Sequence, residues 1–195
     1  MDTEEILFAD GAVTAFRFHP GNIRLAQEFL EANPAFTEMI AGRPPVPGEA
    51  LHELTDFPAS VRPADAYVIG LRLAGDMVGF AGVLRSWPVE GVSQITLFQI
   101  AESQQGSGVA HVIHSALERW IIAAFAPRWL RLGVVEGNAR GRRFWASVGY
   151  HEMERKRGFE VGNLTHTLVI MIKSLQGGDD ADYRKFIFLG SMPPR

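Results

Sequence analysis

The sequence predicts a mixed α/β domain of the α+β type: a sheet of mainly antiparallel strands with helices packed on it. Three observations predict it. The apolar pattern alternates between period 2 and period 3.6, in the order strand, helices, several strands, helix, strand, helix, strands. A Gly75-Asp76 turn joins two of those strands as a hairpin, which is an antiparallel connection. The chain has 195 residues, 47% hydrophobic and 21% charged, the size and balance of one soluble domain. Such a chain buries roughly 70% of its unfolded surface, enough for a real core.

The elements follow in order. Residues 12–18, AVTAFRF, alternate loosely and predict a strand. Pro20 and Asn22 open a helix through IRLAQEFLEAN, with Ile23, Ala26, Phe29 and Leu30 on one side. PAFTEMIAG predicts a second short helix ending at Gly42, and the proline-rich RPPVPGEALHEL runs into a third. Residues 65–87 give the hairpin, and VSQITLFQIA gives the next strand. A helix is predicted over about 107–124, with Val109, Val112, Ile113, Ala116, Leu117, Trp120 and Ala124 as its apolar side. RWLRLGVV is a strand, NARGRRFWASVG a helix stopped by Gly149, and YHEMERKRGF and THTLVIMIKSL two closing strands. Residues 1–175 make the domain. Residues 176–195 form a C-terminal tail, flexible or docked: a polar linker first, then an apolar FIFL that can dock.

Composition excludes several chemistries. The chain has no cysteine, so disulfides, thiolate zinc sites and a thiol nucleophile are out. Its formal charge of −3 gives no push toward nucleic acid or an acidic membrane. The start, MDTEEILFAD, is acidic where a signal peptide is basic, and WIIAAFAPRWL is too short to span a bilayer. The expectation is a cytoplasmic protein that binds neither nucleic acid nor membrane, with room for a homodimer. His111, His114 and Glu118 share a helical face at i, i+3, i+7 that points away from the apolar stripe, so a solvated face is predicted and no metal site. Arg140, Arg142 and Arg143, with Arg155, Lys156 and Arg157, lack interleaved aromatics and predict a solvated basic face, with contact to the phosphates of a bound cofactor as the second reading.

The stretch with chemical content is QQGSGVA, residues 104–110. Glycines at 106 and 108, between a strand and a helix, suit a backbone that lets successive N–H groups approach an anion at the helix N-terminus. No Gly-Lys-Ser/Thr follows, so it is not a Walker loop. His111 occupies the third glycine position of a dinucleotide fingerprint. What it matches is Gln-x-x-Gly-x-Ala, at Gln105, Gly108 and Ala110.

With that motif the chain resembles the GNAT superfamily of acyl-CoA-dependent N-acyltransferases, whose pattern is Arg/Gln-x-x-Gly-x-Gly/Ala between the fourth strand and the next helix. A second match follows in VVEGNARGRRFWASVGYHEM: Asn138, Phe144, Trp145, Gly149 and Tyr150 stand where the family has Asn, then Ala-x-x-Leu/Phe-Tyr-x-x-x-Gly-Phe/Tyr. Gly141 replaces the usual Ala and Trp145 the usual Tyr. The resemblance covers residues 64–174 well, and the first helices only loosely.

The resemblance implies a mostly antiparallel GNAT-like sheet with helices on both faces, and direct transfer of an acyl group, expected to be acetyl, from coenzyme A to an amine of a small molecule or peptide. It implies phosphate contacts from Gln105, Gly106, Ser107, Gly108, Val109 and Ala110. It implies a pantetheine arm in a gap between the fourth and fifth strands, held by backbone at Phe98, Gln99 and Ile100, with Asn138, Phe144 and Trp145 on the channel's other side. Glu136, at the end of the fifth strand, is the candidate base. Trp145 cannot act as an acid, since indole N–H is only a hydrogen-bond donor, and is expected to be a wall beside the arm. The alternative is a non-catalytic acyl-CoA-binding module, acting as a sensor or interaction protein.

Overall fold

The computed structural model describes residues 4–192. It contains β1 (Glu5–Asp10), β2 (Val13–Arg17), α1 (Ile23–Ala32), α2 (Ala35–Ala41), α3 (Glu49–Glu53), β3 (Ala66–Leu73), β4 (Asp76–Leu84) and β5 (Val92–Ile100). Then come α4 (Val109–Phe125), β6 (Trp129–Val135), α5 (Ala139–Ser147), β7 (His151–Val161), β8 (Leu164–Ser174) and α6 (Asp180–Gly190). The strands form one sheet in the order β1-β2-β3-β4-β5-β6-β8-β7. Every neighbouring pair is antiparallel except β5 with β6. The predicted class and the helices on both faces are therefore observed.

The two faces have separate cores. One is built from Ala15, Ile69, Leu71, Ala81, Val83, Leu130 and Leu132 of the sheet with Ile113, Ala116, Leu117 and Ile121 of α4 and Trp145 of α5. The other joins Phe16, Phe18, Val68 and Phe80 to Ala26, Phe29 and Leu30 of α1 and Ala50 of α3. Side chains alternate along each strand, so the apolar sets on β3 and β4 divide between these faces. The hairpin turn falls one residue earlier than expected, at Ala74 and Gly75, both left-handed at φ 52° and 97°.

Two elements depart from the sequence reading. β1 was not predicted: EILFAD is a half-exposed edge strand with only weak alternation, and it is defined by its pairing with β2. The tail contains a helix, α6, begun by a capping box in which Asp179 accepts from the N–H groups of Ala181 and Asp182, while Asp182 accepts from that of Asp179. Its Tyr183 meets Trp129 edge-on at 5.3 Å, and Phe186 and Ile187 pack beside them. Trp129 is 1% exposed beneath this helix. Tyr183→Ala is expected to lower the unfolding free energy by about 3–5 kcal/mol. A urea midpoint close to wild type would show that α6 lies outside the cooperative unit.

Candidate active site

β5 and β6 pair for only four positions, from Val92↔Trp129 to Ile95↔Leu132. A bulge then turns β5: Thr96 is inserted between Ile95 and Leu97 opposite the Gly82–Val83 step of β4. Thr96 and Leu97 both lie against Gly82, where a Cβ would meet Thr96 Oγ1 at 2.3 Å. Beyond the bulge β5 follows β4 to Ile100↔Gly79, and β6 follows β8 to Val135↔Leu168. A gap opens between Leu97–Ile100 and Gly133–Val135, with strand edges free of each other.

Aromatic rings close the α4–α5 side of the gap. Phe98 stacks on Phe144 at 5.7 Å with 6° between planes and lies 5.4 Å from Trp145. Trp145 is 7% exposed and also meets His114 at 5.5 Å and Tyr150 at 5.2 Å. Burial pushes the Tyr150 hydroxyl well above its usual range, with Glu118 adding to the effect.

At the mouth of this gap lies the glycine loop. Gly106 and Gly108 are left-handed at φ 84° and 88°, and Gly108 is the N-cap of α4. Among the described residues nothing accepts from the N–H groups of Gly106, Gly108 or Ala110, and nothing lies within 4 Å of where a Cβ would stand on either glycine. These are the free donors of a helix start, on an exposed loop. Gln105 braces the loop: its Nε2 donates to the Ile100 carbonyl at 3.4 Å, and Arg140 donates to its Oε1 at 2.6 Å. The neighbouring helix start is capped by Asn138, whose Oδ1 accepts from Gly141 N–H at 2.7 Å. A Cβ at Gly141 would stand 2.6 Å from the Asn138 amide, which accounts for glycine there in place of alanine.

These features are a set of unpaired backbone donors at a helix start beside a strand gap. Residues 27–150 match the Acetyltransferase (GNAT) family. The chain belongs to that family. No curated protein sequence matches the chain. Among solved structures, an acetyltransferase from Thermus thermophilus superimposes with a TM-score of 0.66 at 19% identity, over 84% of this chain and 97% of the other. A Vibrio cholerae spermidine N-acetyltransferase in complex with CoA and spermine gives 0.66 at 14% identity, over 85% and 96%. The ribosomal-protein-S18-alanine N-acetyltransferase of Escherichia coli gives 0.61 at 14%, over 86% and 96%. The family uses acetyl-CoA, and these likenesses show that the GNAT fold is shared.

Within this GNAT, the residues singled out in the sequence fall into three groups. Gly106, Ser107, Gly108, Val109 and Ala110 form the loop and helix start, and Phe98, Gln99 and Ile100 form the gap edge, with Phe144 and Trp145 behind it. Asn138 and Gln105 are engaged in bracing this frame. Glu136 is elsewhere: along β6 the side chains of Leu130, Leu132 and Val134 face α4, and Glu136 continues that side, where its half-exposed carboxylate pairs with Arg155. Arg155 also holds Glu152, so part of the basic run is neutralised. Among the described residues no group of three His, Cys, Asp or Glu could hold a metal, and no helix is long and apolar enough to cross a membrane. Two recesses lie away from the gap. One of about 230 Å³ is lined by residues such as Phe18, His19, Leu51 and Val68, and one of about 570 Å³ by residues such as His111, Ser115, Arg119 and Lys173.

The connection of α1 and α2 to β5 was not legible in the sequence. Gln99 donates to the Asn33 carbonyl at 2.8 Å, Asn33 Oδ1 accepts from Glu102 N–H at 2.7 Å, and Glu102 accepts from Ala35 N–H at 2.9 Å. The Asn33-Pro34 pair after an amphipathic helix was the available signal, and it marks only a helix end.

The expected solvated face of α4 is corrected at His114. His111 is exposed, but His114 is 3% exposed and ringed by Phe98, Phe144, Trp145 and Tyr150. Val112, placed on the apolar side, is 52% exposed, while Ile121 is buried. The helix is rotated toward α5, which covers the histidine. Burial, with Lys173 and His111 nearby, pushes the His114 imidazole from 6.5 down to about 4. It is neutral in the folded protein at neutral pH. As pH falls through 6.5, the unfolded chain takes up a proton that the folded chain refuses until about 4, so stability falls across that window. The full loss is on the order of 3 kcal/mol. Urea unfolding of His114→Phe between pH 7 and 4 should show a correspondingly flatter pH dependence than wild type; equal slopes would contradict a buried neutral imidazole.

Proposed function

We propose that this protein transfers an acetyl group from acetyl-CoA to a primary amine, directly, in a complex that holds both. The observation that carries the reading is the row of unpaired N–H groups at Gly106, Gly108 and Ala110, opening beside the β5–β6 gap. Backbone donors and a helix N-terminus favour a pyrophosphate, and the helix dipole adds about 0.3–1 kcal/mol. Arg140, next to the loop through Gln105, adds positive charge. The free edge of β5 gives the pantetheine amides a strand to pair with, and an N–H there can polarise the thioester carbonyl as its oxygen gains charge. With no cysteine in the chain, no thiol can carry the acyl group, which fits direct attack of the amine on the thioester. The structures it resembles include an N-acetyltransferase named for an alanine of a ribosomal protein and one named for spermidine, which supports an amine acceptor of either size.

Trp145 favours one second reading. Its indole can wall the channel but cannot hand a proton to a departing thiolate. A protein that binds acyl-CoA without turning it over would keep this geometry. The coenzyme A thiolate can leave unaided or take a proton from water, so the enzyme reading stands ahead.

Acetyl-CoA should raise the melting temperature, by an amount equivalent to about 2.7 kcal/mol at 100 times its Kd, where ATP and NAD do not. Gly108→Val should remove that shift: its side chain would enter the open space over the donors, and φ 88° strains a β-branched residue. A normal shift in the variant would overturn the phosphate cradle. Turnover should be visible against a panel of spermidine, lysine and an alanine-started peptide. Trp145→Phe should keep most of it. A large gain in Trp145→Tyr would favour the binding module instead.

A further inference from the structure

α2 crosses the β5–β6 gap and is fastened at both ends. At its start, Asn33 and Ala35 are tied to Gln99 and Glu102 at the end of β5. At its end, the Ala41 carbonyl accepts from Asn163 N–H at 3.0 Å, and the Ile40 carbonyl accepts from His166 Nε2 at 2.7 Å. Both partners belong to the β7–β8 hairpin, so a seven-residue helix links the end of β5 to the hairpin on the far side of β6.

His166 stands at a defined place on this bridge. On β8, Ile170 and Ile172 face away from α4, and alternation puts Leu168 and His166 on the same side. Leu168 covers Gly133 of β6, where a Cβ would stand 2.9 Å from Leu168 Cδ2. His166 is one step farther, about 7 Å along the strand, past the end of β6 and under α2. A carbonyl only accepts, so the bond to Ile40 requires the proton on Nε2. The neutral ring then carries its lone pair on Nδ1. No described residue donates to Nδ1, and the ring is half-buried.

We propose that Nδ1 of His166 is the proton acceptor for the amine substrate. This rests on the N-acetyltransferase reading. The acceptor ammonium gives one proton to Nδ1, and the freed lone pair forms the C–N bond at the thioester carbonyl. The C–S bond breaks, the sulfur leaves as thiolate, and the second nitrogen proton passes to that thiolate or to water. The imidazolium then donates from both nitrogens, and the Ile40 carbonyl holds it through a charge-assisted bond. The charges around it are few. Glu38 is the only ionisable residue of α2. On β7, Lys156 pairs with Glu154 at 3.3 Å on the same face, and Glu160 opposite Thr165 points to the other face. Arg157 lies in the β7 bulge.

The test uses His166→Gln, whose amide N–H can keep the bond to Ile40 but offers no basic nitrogen. Acetyl-CoA is the donor; spermidine, lysine, the alanine-started peptide and hydroxylamine are the nucleophiles. Hydroxylamine is largely unprotonated at neutral pH and needs no base. His166→Gln should lower kcat/KM for the alkyl amines roughly 100-fold at neutral pH. It should erase the acid limb of the pH profile, while leaving the acetyl-CoA thermal shift and the hydroxylamine rate within a few-fold of wild type. Wild-type rates with the acid limb intact would overturn the proposal alone. A wild-type protein that binds acetyl-CoA but acetylates nothing would overturn the N-acetyltransferase reading beneath it. The ¹⁵N spectrum of the wild-type imidazole checks the geometry without any variant: the Nε2–H tautomer is expected, and an Nδ1–H tautomer would overturn the proposal.

Discussion

The short parallel pairing of β5 and β6 governs the rest of this structure. Four positions of pairing leave seven residues of facing strand, Leu97–Ile100 and Gly133–Val135, without each other's hydrogen bonds. Unpaired backbone inside a sheet is costly unless something else satisfies it. The bulge at Thr96 makes the divergence a built feature, because it commits two consecutive side chains to the face of Gly82 and turns the strand. The stacked rings of Phe98 and Phe144, with Trp145 tilted against both, then fill the space behind the gap, so the strands cannot close on each other. A ligand that presents amides along an extended arm fits such an edge as a missing strand would.

The side that carries the glycine loop is braced from several directions. Gly108 turns the chain into α4 and leaves its first N–H groups outward, while Gln105 ties the loop to β5 and, through Arg140, to α5. Asn138 caps α5, and Gly141 keeps clear of that cap. Buried His114 and Tyr150 join α4 to α5 and β8 from beneath. Each hydrogen bond adds about 0.5–1.5 kcal/mol, so the frame depends on their sharing one rigid unit more than on any single one. Such preorganisation lets donors act on developing charge without moving.

How much of this was legible in the sequence depended on the range of the interaction. The glycine loop, the hairpin and the α5 stop at Gly149 are local: φ preferences and spacing specify them, and they appear where the residues say, the hairpin turn to within one residue. β1 escaped because an edge strand with both faces half-exposed carries little alternation. His114 was misplaced because a helical wheel cannot say that α5 packs against that flank. The candidate base Glu136 lay at the right strand end, but strand alternation sent it to the side of Arg155. The bonds Gln99–Asn33 and His166–Ile40 join residues 66 and 126 positions apart, and no local pattern encodes them.

This division has a consequence for how specificity is built. The glycine-loop side consists of strands, a long helix and caps. The opposite side is spanned by α2, seven residues that would not hold a helix alone in water. Its order therefore comes from its tethers: Asn33 and Glu102 at one end, His166 and Asn163 at the other. The loop that carries α3 adds Gly48 and three prolines, Pro44, Pro45 and Pro47, and makes a boundary of short pieces. Changes in those pieces alter what can reach the gap while the donors at Gly106 and Gly108 stay in place. A fold arranged this way can change what reaches the gap by substitutions confined to residues 33–60 while the glycine loop keeps its shape.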